Sequence, residues 1–411
     1  MHILLYVHYY PPNGGAAASR NASLARYLAG LGHRVTVLTT VPHYPTGVVP
    51  PQFRGRLAYR SHEDGVEVVR VWLSTARSQR ILSKAFNQLS FSVASFLWGL
   101  RLPRADVAYV ELQPFFTGAA ARLYCRLRRI PFVQNVSDLW PDHLLSIGRL
   151  RENSLIYRWA RWTVDRGFRL SAALTSMSPY WTQRLERYTG GQSHKIHTIL
   201  RGTDIDRFRP GLDTTAFRQK YQLGDCLVVS FFGTLALQYD FDALLSVARR
   251  LETRGDVIFL LVGSGSQQAA VAQQAAGLRN LRFIEWLDHA EMPIAWNATA
   301  VNVWAMRPHP LYEGTIPAKL SEAMACGTPI AAAQGGAAAD IIRQAGAGEV
   351  VAVGDAEALC QAVLRLLDNP SLRQQCASSA RAYAEAHFDN AQVMARYADV
   401  ILKAARPRSG A

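Results

Sequence analysis

The stretch GTIPAKLSEAMACGTPI, residues 314–330, sets a lysine and a glutamate three residues apart where a helix should begin. Pro317 suits the first helical position, because its missing N–H has no intrahelical partner there anyway. Gly327 suits the residue just past the end. Lys319 then falls in the first turn and Glu322 in the first half, on one face. A carboxylate near the positive end of the helix dipole is stabilising, whereas a cation there costs roughly 0.3–1 kcal/mol. The lysine needs a reason.

Other chemistry-bearing residues stand in loops that follow apolar runs. YYPPNGGAAASRNASLARYL carries Gly14 and Gly15, which permit close backbone approach before a helix N-terminus that favours anions. A simple tight turn explains two glycines better. The loop is neither G-x-G-x-x-G nor a P-loop, and no acidic residue ends the next strand, so NAD is disfavoured. QNVSDLWPDHL carries Asp138 and Asp142. They read either as helix caps or as carboxylates that hold a substrate hydroxyl. TDID, residues 203–206, matches D-x-D, but its place beside Phe208 and Pro210 suggests structural use. FFGTLALQYD and LLVGSGS set Gly233, Thr234, Gly263 and Gly265 just after strands, where backbone N–H groups suit phosphates or a base. The chain shows no nucleophile elbow and no H-E-x-x-H cluster.

Parallel strands must present those loops. Strand candidates are Ile3–Val7, Val35–Thr39, Val66–Trp72, Val107–Val110, Phe132–Val136, Ala173–Ser176 and Lys195–Leu200. A second series follows at Leu227–Phe232, Val257–Val262, Leu281–Glu285, Ala300–Ala305, Pro329–Ala333 and Glu349–Val353. Helical patterns alternate with them, which predicts α/β architecture with parallel sheets covered on both faces. The break near RGTDIDRFRP predicts two doubly wound domains, 1–203 and 204–390. Ligands in such sheets sit at the carboxyl ends of strands.

The 411 residues carry a net charge of +14, all of it on the first half. Residues 1–205 hold 26 Lys/Arg against 11 Asp/Glu, and residues 206–411 hold 19 against 20. That asymmetry suggests a polyanionic neighbour for the first half, either an anionic membrane surface or nucleic acid. No recognised motif supports nucleic acid. Five scattered cysteines form neither a zinc pattern nor a disulfide framework, and reduced cytosol is expected. The N-terminus reads directly as a strand, without a signal peptide. ILSKAFNQLSFSVASFLWGL, residues 81–100, is interrupted by Lys84, Asn87 and Gln88 and is no spanning segment. Its apolar residues Leu82, Phe86, Leu89, Val93, Phe96 and Leu100 recur at helical steps. Core packing and an in-plane membrane contact both fit, and the basic flanks tip the reading toward the membrane.

Taken together, GGAAASRNASLARYLAGLGHRVTVLTT, SDLWPDHLLSIG, RGTDIDRFRP, GTLALQYDFDALL, LLVGSGS and GTIPAKLSEAMACGTPIAA resemble a retaining glycosyltransferase of family four, with the GT-B fold. The resemblance covers nearly the whole chain. P-x-K-L-x-E-A-M-A-C-G-T-P with DLWPD resembles the branch that builds bacterial surface polysaccharides, including colanic acid, O-antigen and N-acetylfucosamine transferases.

The resemblance implies two Rossmann-like domains facing across a cleft, with residues 391–411 returning to the first. It implies a nucleotide-sugar donor, expected to be UDP-linked, in the C-terminal domain, and no metal or other cofactor. Glu322 would bind ribose hydroxyls, Gly14 and Gly15 would present amides to the diphosphate, and Gly263 and Gly265 would line the nucleotide pocket. Lys319 would face the diphosphate, which answers for its place in the helix. Asp138 is the acceptor-side candidate, with His43, Glu313 and Asp142 as further ones. The acceptor is expected to be a lipid-linked or soluble glycan, and the protein peripheral on the inner face of the plasma membrane.

Two departures stand out. The family usually has two glutamates with seven residues between them, and Glu313 is one position early. The loop after the first strand of the second domain, GTLALQYD, lacks the usual cations. A nucleotide-sugar epimerase of the same fold, or a degenerate partner subunit, are the alternatives. Product analysis without acceptor separates the first, and absence of nucleotide binding marks the second.

Overall fold

The protein is described by a computed structural model, which covers residues 1–44, 47–75, 81–137, 139–146 and 150–405. The chain forms two compact units. One comprises residues 1–200 with 391–411, and the other comprises residues 201–390.

The first unit is built on an eight-stranded sheet. Its strands are β1 (His2–Tyr6), β2 (Arg34–Thr40), β3 (Ala58–Glu63), β4 (Val66–Val71), β5 (Val107–Glu111), β6 (Phe132–Val136), β7 (Ala173–Ser176) and β8 (Ile196–Thr198). The order is β3-β4-β2-β1-β5-β6-β7-β8. All pairs are parallel except β3 with β4. The sequence reading misses β3. Its run AYRSHE is polar and only partly buried, as an edge strand tolerates.

Helices cover both faces of this sheet. On one, Leu24 and Leu28 of helix Ala16–Gly30 meet Met394, Tyr397 and Ile401 of helix Asn390–Ala405 in a common core with β1 and β2. The Tyr397 hydroxyl donates to Asn135 Oδ1 at 3.3 Å. On the other, Phe91 of helix Ile81–Gly99 packs with Tyr124, Leu38 and Val110. That helix turns its serines inward. Ser92 and Ser95 are buried, and Ser95 Oγ lies 2.6 Å from the Tyr6 hydroxyl. Small side chains let the helix sit close to the sheet. Four of the apolar residues that the periodicity marks as one stripe, Phe86, Leu89, Val93 and Leu100, therefore face outward and are exposed.

The second unit has a six-stranded parallel sheet of β9 (Leu227–Phe232), β10 (Val257–Val262), β11 (Leu281–Ile284), β12 (Val301–Ala305), β13 (Ile330–Ala333) and β14 (Gly348–Val351). The order is β11-β10-β9-β12-β13-β14. The strands LVVSFF and VIFLLV are almost wholly apolar because both faces are covered. The strand order reverses between β9 and β12, which makes that point the natural ligand crevice. In TDID, Asp204 Oδ1 accepts the Arg207 N–H at 3.1 Å, and Thr203 Oγ1 lies 2.7 Å from Ser321 Oγ. The segment is used to fold the chain.

Candidate functional site

A pocket of about 320 Å³ opens at the carboxyl ends of β9, β10 and β11, beside helix Ala318–Ala325. The loop after β9 contributes Gly233 and Thr234. The loop after β10 contributes Gly263 and Ser264. The segment after β11 contributes Glu285, Trp286, Leu287 and His289, and the helix contributes Ala318, Lys319 and Glu322.

The helix starts one residue later than expected, with Pro317 in extended geometry as its cap residue. Gly327 follows the helix with a φ of 67°, the left-handed conformation that suits glycine. Lys319 is in the first turn, and its side chain is buried. Its Nζ lies 3.6 Å from the centre of the Phe231 ring, 4.3 Å from that of Tyr239 and 5.4 Å from that of Trp304. It has no hydrogen-bond partner among the described residues. The aromatic faces offset part of the lost hydration. Burial still pushes the ammonium well below the usual lysine value.

Glu322 is half-buried and accepts a hydrogen bond from Trp296 Nε1 at 3.3 Å. Burial raises its carboxyl above the ordinary range, and Arg201, His289 and Arg207 pull it back down. The pocket thus brings together, on one helix, an amine without a hydrogen-bond partner among the described residues and a carboxyl group with free acceptor capacity.

Gly263 lines the pocket as expected, but two of the glycine amides are already engaged. Gly233 N–H donates to Val262 O at 3.0 Å, and Gly263 N–H donates to Ile284 O at 2.9 Å. These two amides extend the sheet and are not offered to a ligand. Glycine is required because the loops cross in contact: a Cβ on Gly263 would overlap the Gly233 carbonyl, and one on Gly265 would lie 2.5 Å from Leu235 O. Gly265 is not among the lining residues. Thr234 is exposed at the pocket.

Glu313 is exposed on the single turn Tyr312–Gly314 and does not line the pocket. Asp142 is buried, and both its oxygens accept hydrogen bonds. It accepts from the Tyr157 hydroxyl at 2.8 Å, the Tyr188 hydroxyl at 2.9 Å and Arg161 Nη1 at 3.4 Å. That network ties helix Leu155–Leu170 to helix Pro179–Tyr188, a structural use of a residue expected on the acceptor side. Asp138 lies outside the described residues.

In the first unit, Gly14 N–H donates to Tyr44 O at 3.3 Å, so this amide also has a partner. Gly15 caps helix Ala16–Gly30 with a φ of 96°. Buried Asn13 fixes the loop by accepting the amides of His43 and Tyr44 at 2.8 and 2.9 Å. The half-buried His43 ring lies with Nδ1 3.1 Å from Val41 O, and burial lowers its pKa. Just beyond, Arg20 pairs with buried Glu111 at the end of β5.

Sequence reasoning missed the cage of Phe231, Tyr239 and Trp304, the pair Arg20–Glu111, and the whole contribution of EWLDH. The last was findable, because it follows a recognised strand at its carboxyl end.

Comparison with known proteins agrees with this geometry. A profile described as "Glycosyl transferase 4-like domain" matches residues 14–202, and one described as "Glycosyl transferases group 1" matches residues 226–369. Both are glycosyltransferase domains that together match most of the chain, and the fold is that of the GT-B glycosyltransferases. WcaI of Escherichia coli, named for colanic acid biosynthesis, is 23% identical over 340 residues, covering 80% of this chain and 82% of that one. Sucrose-phosphate synthase of Thermosynechococcus elongatus superposes with a TM-score of 0.76 at 19% identity over 98% of both chains. HepE of Anabaena, solved with UDP-glucose, superposes at 0.70 with 17% identity, over 98% of this chain and 100% of that one.

Proposed function

We propose that the protein transfers a sugar from a nucleoside-diphosphate sugar, UDP-linked in this reading, to a hydroxyl of a lipid-linked saccharide, with retention at the anomeric carbon. The observation that carries the donor assignment is Lys319, whose buried Nζ has no hydrogen-bond partner among the described residues, lining a pocket at the carboxyl ends of β9, β10 and β11.

In the reaction the bond from the anomeric carbon to the phosphate oxygen breaks, and negative charge develops on the departing diphosphate. Charge placed there is best stabilised by groups already fixed in position. Lys319 and the N-terminus of its helix meet that need without a metal. Glu322 accepts from ribose hydroxyls, with Trp296 holding the carboxylate in place. HepE, bound to UDP-glucose in its crystal structure, supports the donor class, and the name of WcaI supports a surface-polysaccharide acceptor.

The test is calorimetric titration with a panel of nucleoside diphosphates and their sugars. One nucleotide class should bind, and Lys319→Ala and Glu322→Ala should each weaken it by about tenfold or more. Well-folded protein that binds none of them would overturn the reading in favour of a degenerate partner subunit.

A further inference from the structure

The first unit carries a solvent-exposed apolar face that its own fold does not cover. Strands β4, β5, β6 and β7 follow one another in a single direction across the sheet. Right-handed crossovers place the connecting helices on one side. Helix Ile81–Gly99 packs on helix Phe115–Leu127, which in turn packs on helix Leu155–Leu170. The Phe115 and Trp159 rings meet edge to face at 5.6 Å.

Many outward positions of these helices are apolar. Phe86, Val93 and Leu97 on the first are 59%, 55% and 52% exposed, and Trp159 and Trp162 on the last are 52% and 57% exposed. Leu127 on the middle helix is exposed too. A groove of about 520 Å³ continues the face toward Leu57 and Trp72 at the β3–β4 edge. Isolated surface leucines need no explanation, but a contiguous face across three helices marks an interaction surface.

Charge selects the occupant. The three helices hold seven Lys/Arg and one acid, Asp165, and that acid is paired with Arg161. Arg126, Arg158, Arg166 and Arg169 are exposed among the apolar residues. Arg166 lies over Trp162 at 5.5 Å and Arg101 over Trp98 at 4.8 Å. Indole rings with guanidinium groups beside them suit the boundary between lipid headgroups and acyl chains. A second copy docked face to face would bring these arginines against one another with no acids to answer them.

We infer that this three-helix face seats the first unit on an anionic lipid surface, with Phe86, Val93, Leu97, Trp159 and Trp162 entering the acyl boundary and the arginines meeting the headgroups. The inference deepens the lipid-linked acceptor reading and rests on it for its purpose.

The test is co-sedimentation of the full chain with vesicles, in the absence of donor and acceptor. Vesicles of phosphatidylcholine with roughly one-third phosphatidylglycerol should bind the protein, and pure phosphatidylcholine or high salt should weaken binding by about tenfold or more. Val93→Glu/Leu97→Glu/Trp162→Glu should lose binding by a similar factor. Arg158→Glu/Arg166→Glu should lose the preference for anionic lipid, and this pair decides the matter if the triple variant does not fold. Nucleotide titration of each variant reports on the separate donor site, so a failure of one reading is distinguishable from a failure of the other. Wild-type protein that ignores vesicles, a triple variant that binds as wild type, or a dimer abolished by the triple variant without any vesicle binding would each overturn the inference.

Discussion

Lys319 Nζ stands 3.6 Å from the centre of the Phe231 ring, with no hydrogen-bond partner among the described residues. A buried group of this kind penalises the empty protein. Unfolded, the lysine is charged and hydrated; folded, burial pushes it toward neutrality. The folded pKa is the lower one, so this residue's contribution to stability rises with pH toward the ordinary lysine value. Lys319→Met should therefore stabilise the ligand-free protein near neutral pH, on the order of 1 kcal/mol or more, with the gain shrinking in alkaline buffer. Urea melts across pH check this, and a destabilised Lys319→Met at neutral pH would contradict it.

The same shift makes ligand binding proton-linked. A bound diphosphate favours the ammonium form, so complex formation draws a proton onto Lys319. Affinity for a nucleoside diphosphate should increase as pH falls from about 9 to about 7. Glu322, raised by burial, acts in the opposite sense only on the acid side. Calorimetry in two buffers of different ionisation enthalpy measures the proton uptake directly, and Lys319→Met should abolish it.

Gly263 is held by a steric argument. A Cβ there would overlap the Gly233 carbonyl, and its φ of 155° is strained for any L side chain. Gly263→Ala should cost roughly 2–4 kcal/mol and spread the two loops that line the pocket. At Gly255 nothing lies within 4 Å of the added carbon. Gly255→Ala is the control, and equal Tm values for the two variants would refute the crossing-loop account.

Asp142→Asn keeps the shape of a carboxylate that accepts from two phenols and a guanidinium but removes its charge. It should lower stability by about 1–3 kcal/mol while leaving kcat/KM of the folded fraction within about threefold. A large loss of kcat at unchanged Tm would restore Asp142 to the acceptor site.

Glu313 faces solvent on its one-turn helix. Glu313→Gln should leave donor affinity and kcat within about twofold. A loss of about tenfold or more in kcat with donor affinity intact would show that the displaced glutamate reaches the sugar.

Much of this architecture was readable because strands covered on both faces are nearly continuous apolar runs. Phe132–Val136, Leu227–Phe232 and Val257–Val262 match their expected bounds. β3 escaped because a half-exposed edge strand carries Arg60, His62 and Glu63 in place of that signal. Lys319 and Glu322 were legible from their places in one helix. The cage around Lys319 was not, since Phe231 and Tyr239 flank the loop after β9 while Trp304 comes from β12, and only the folded sheet brings them together. The glycine loops were located correctly, but the use of the Gly233 and Gly263 amides within the sheet was not legible. Sequence shows where a side chain is missing, and only coordinates show whether a ligand or another stretch of backbone fills the space.

Val393, Met394, Tyr397, Ala398, Val400 and Ile401 of the last helix complete a core whose other members lie among residues 1–200. The first unit is therefore the last to be finished during synthesis, because the ribosome must deliver all of residues 201–390 before the closing helix arrives. The second unit, continuous in sequence, is complete earlier. Anyone exchanging donor units between related chains has two splice points to respect, near 200 and near 391, and residues 391–405 travel with the unit they seal.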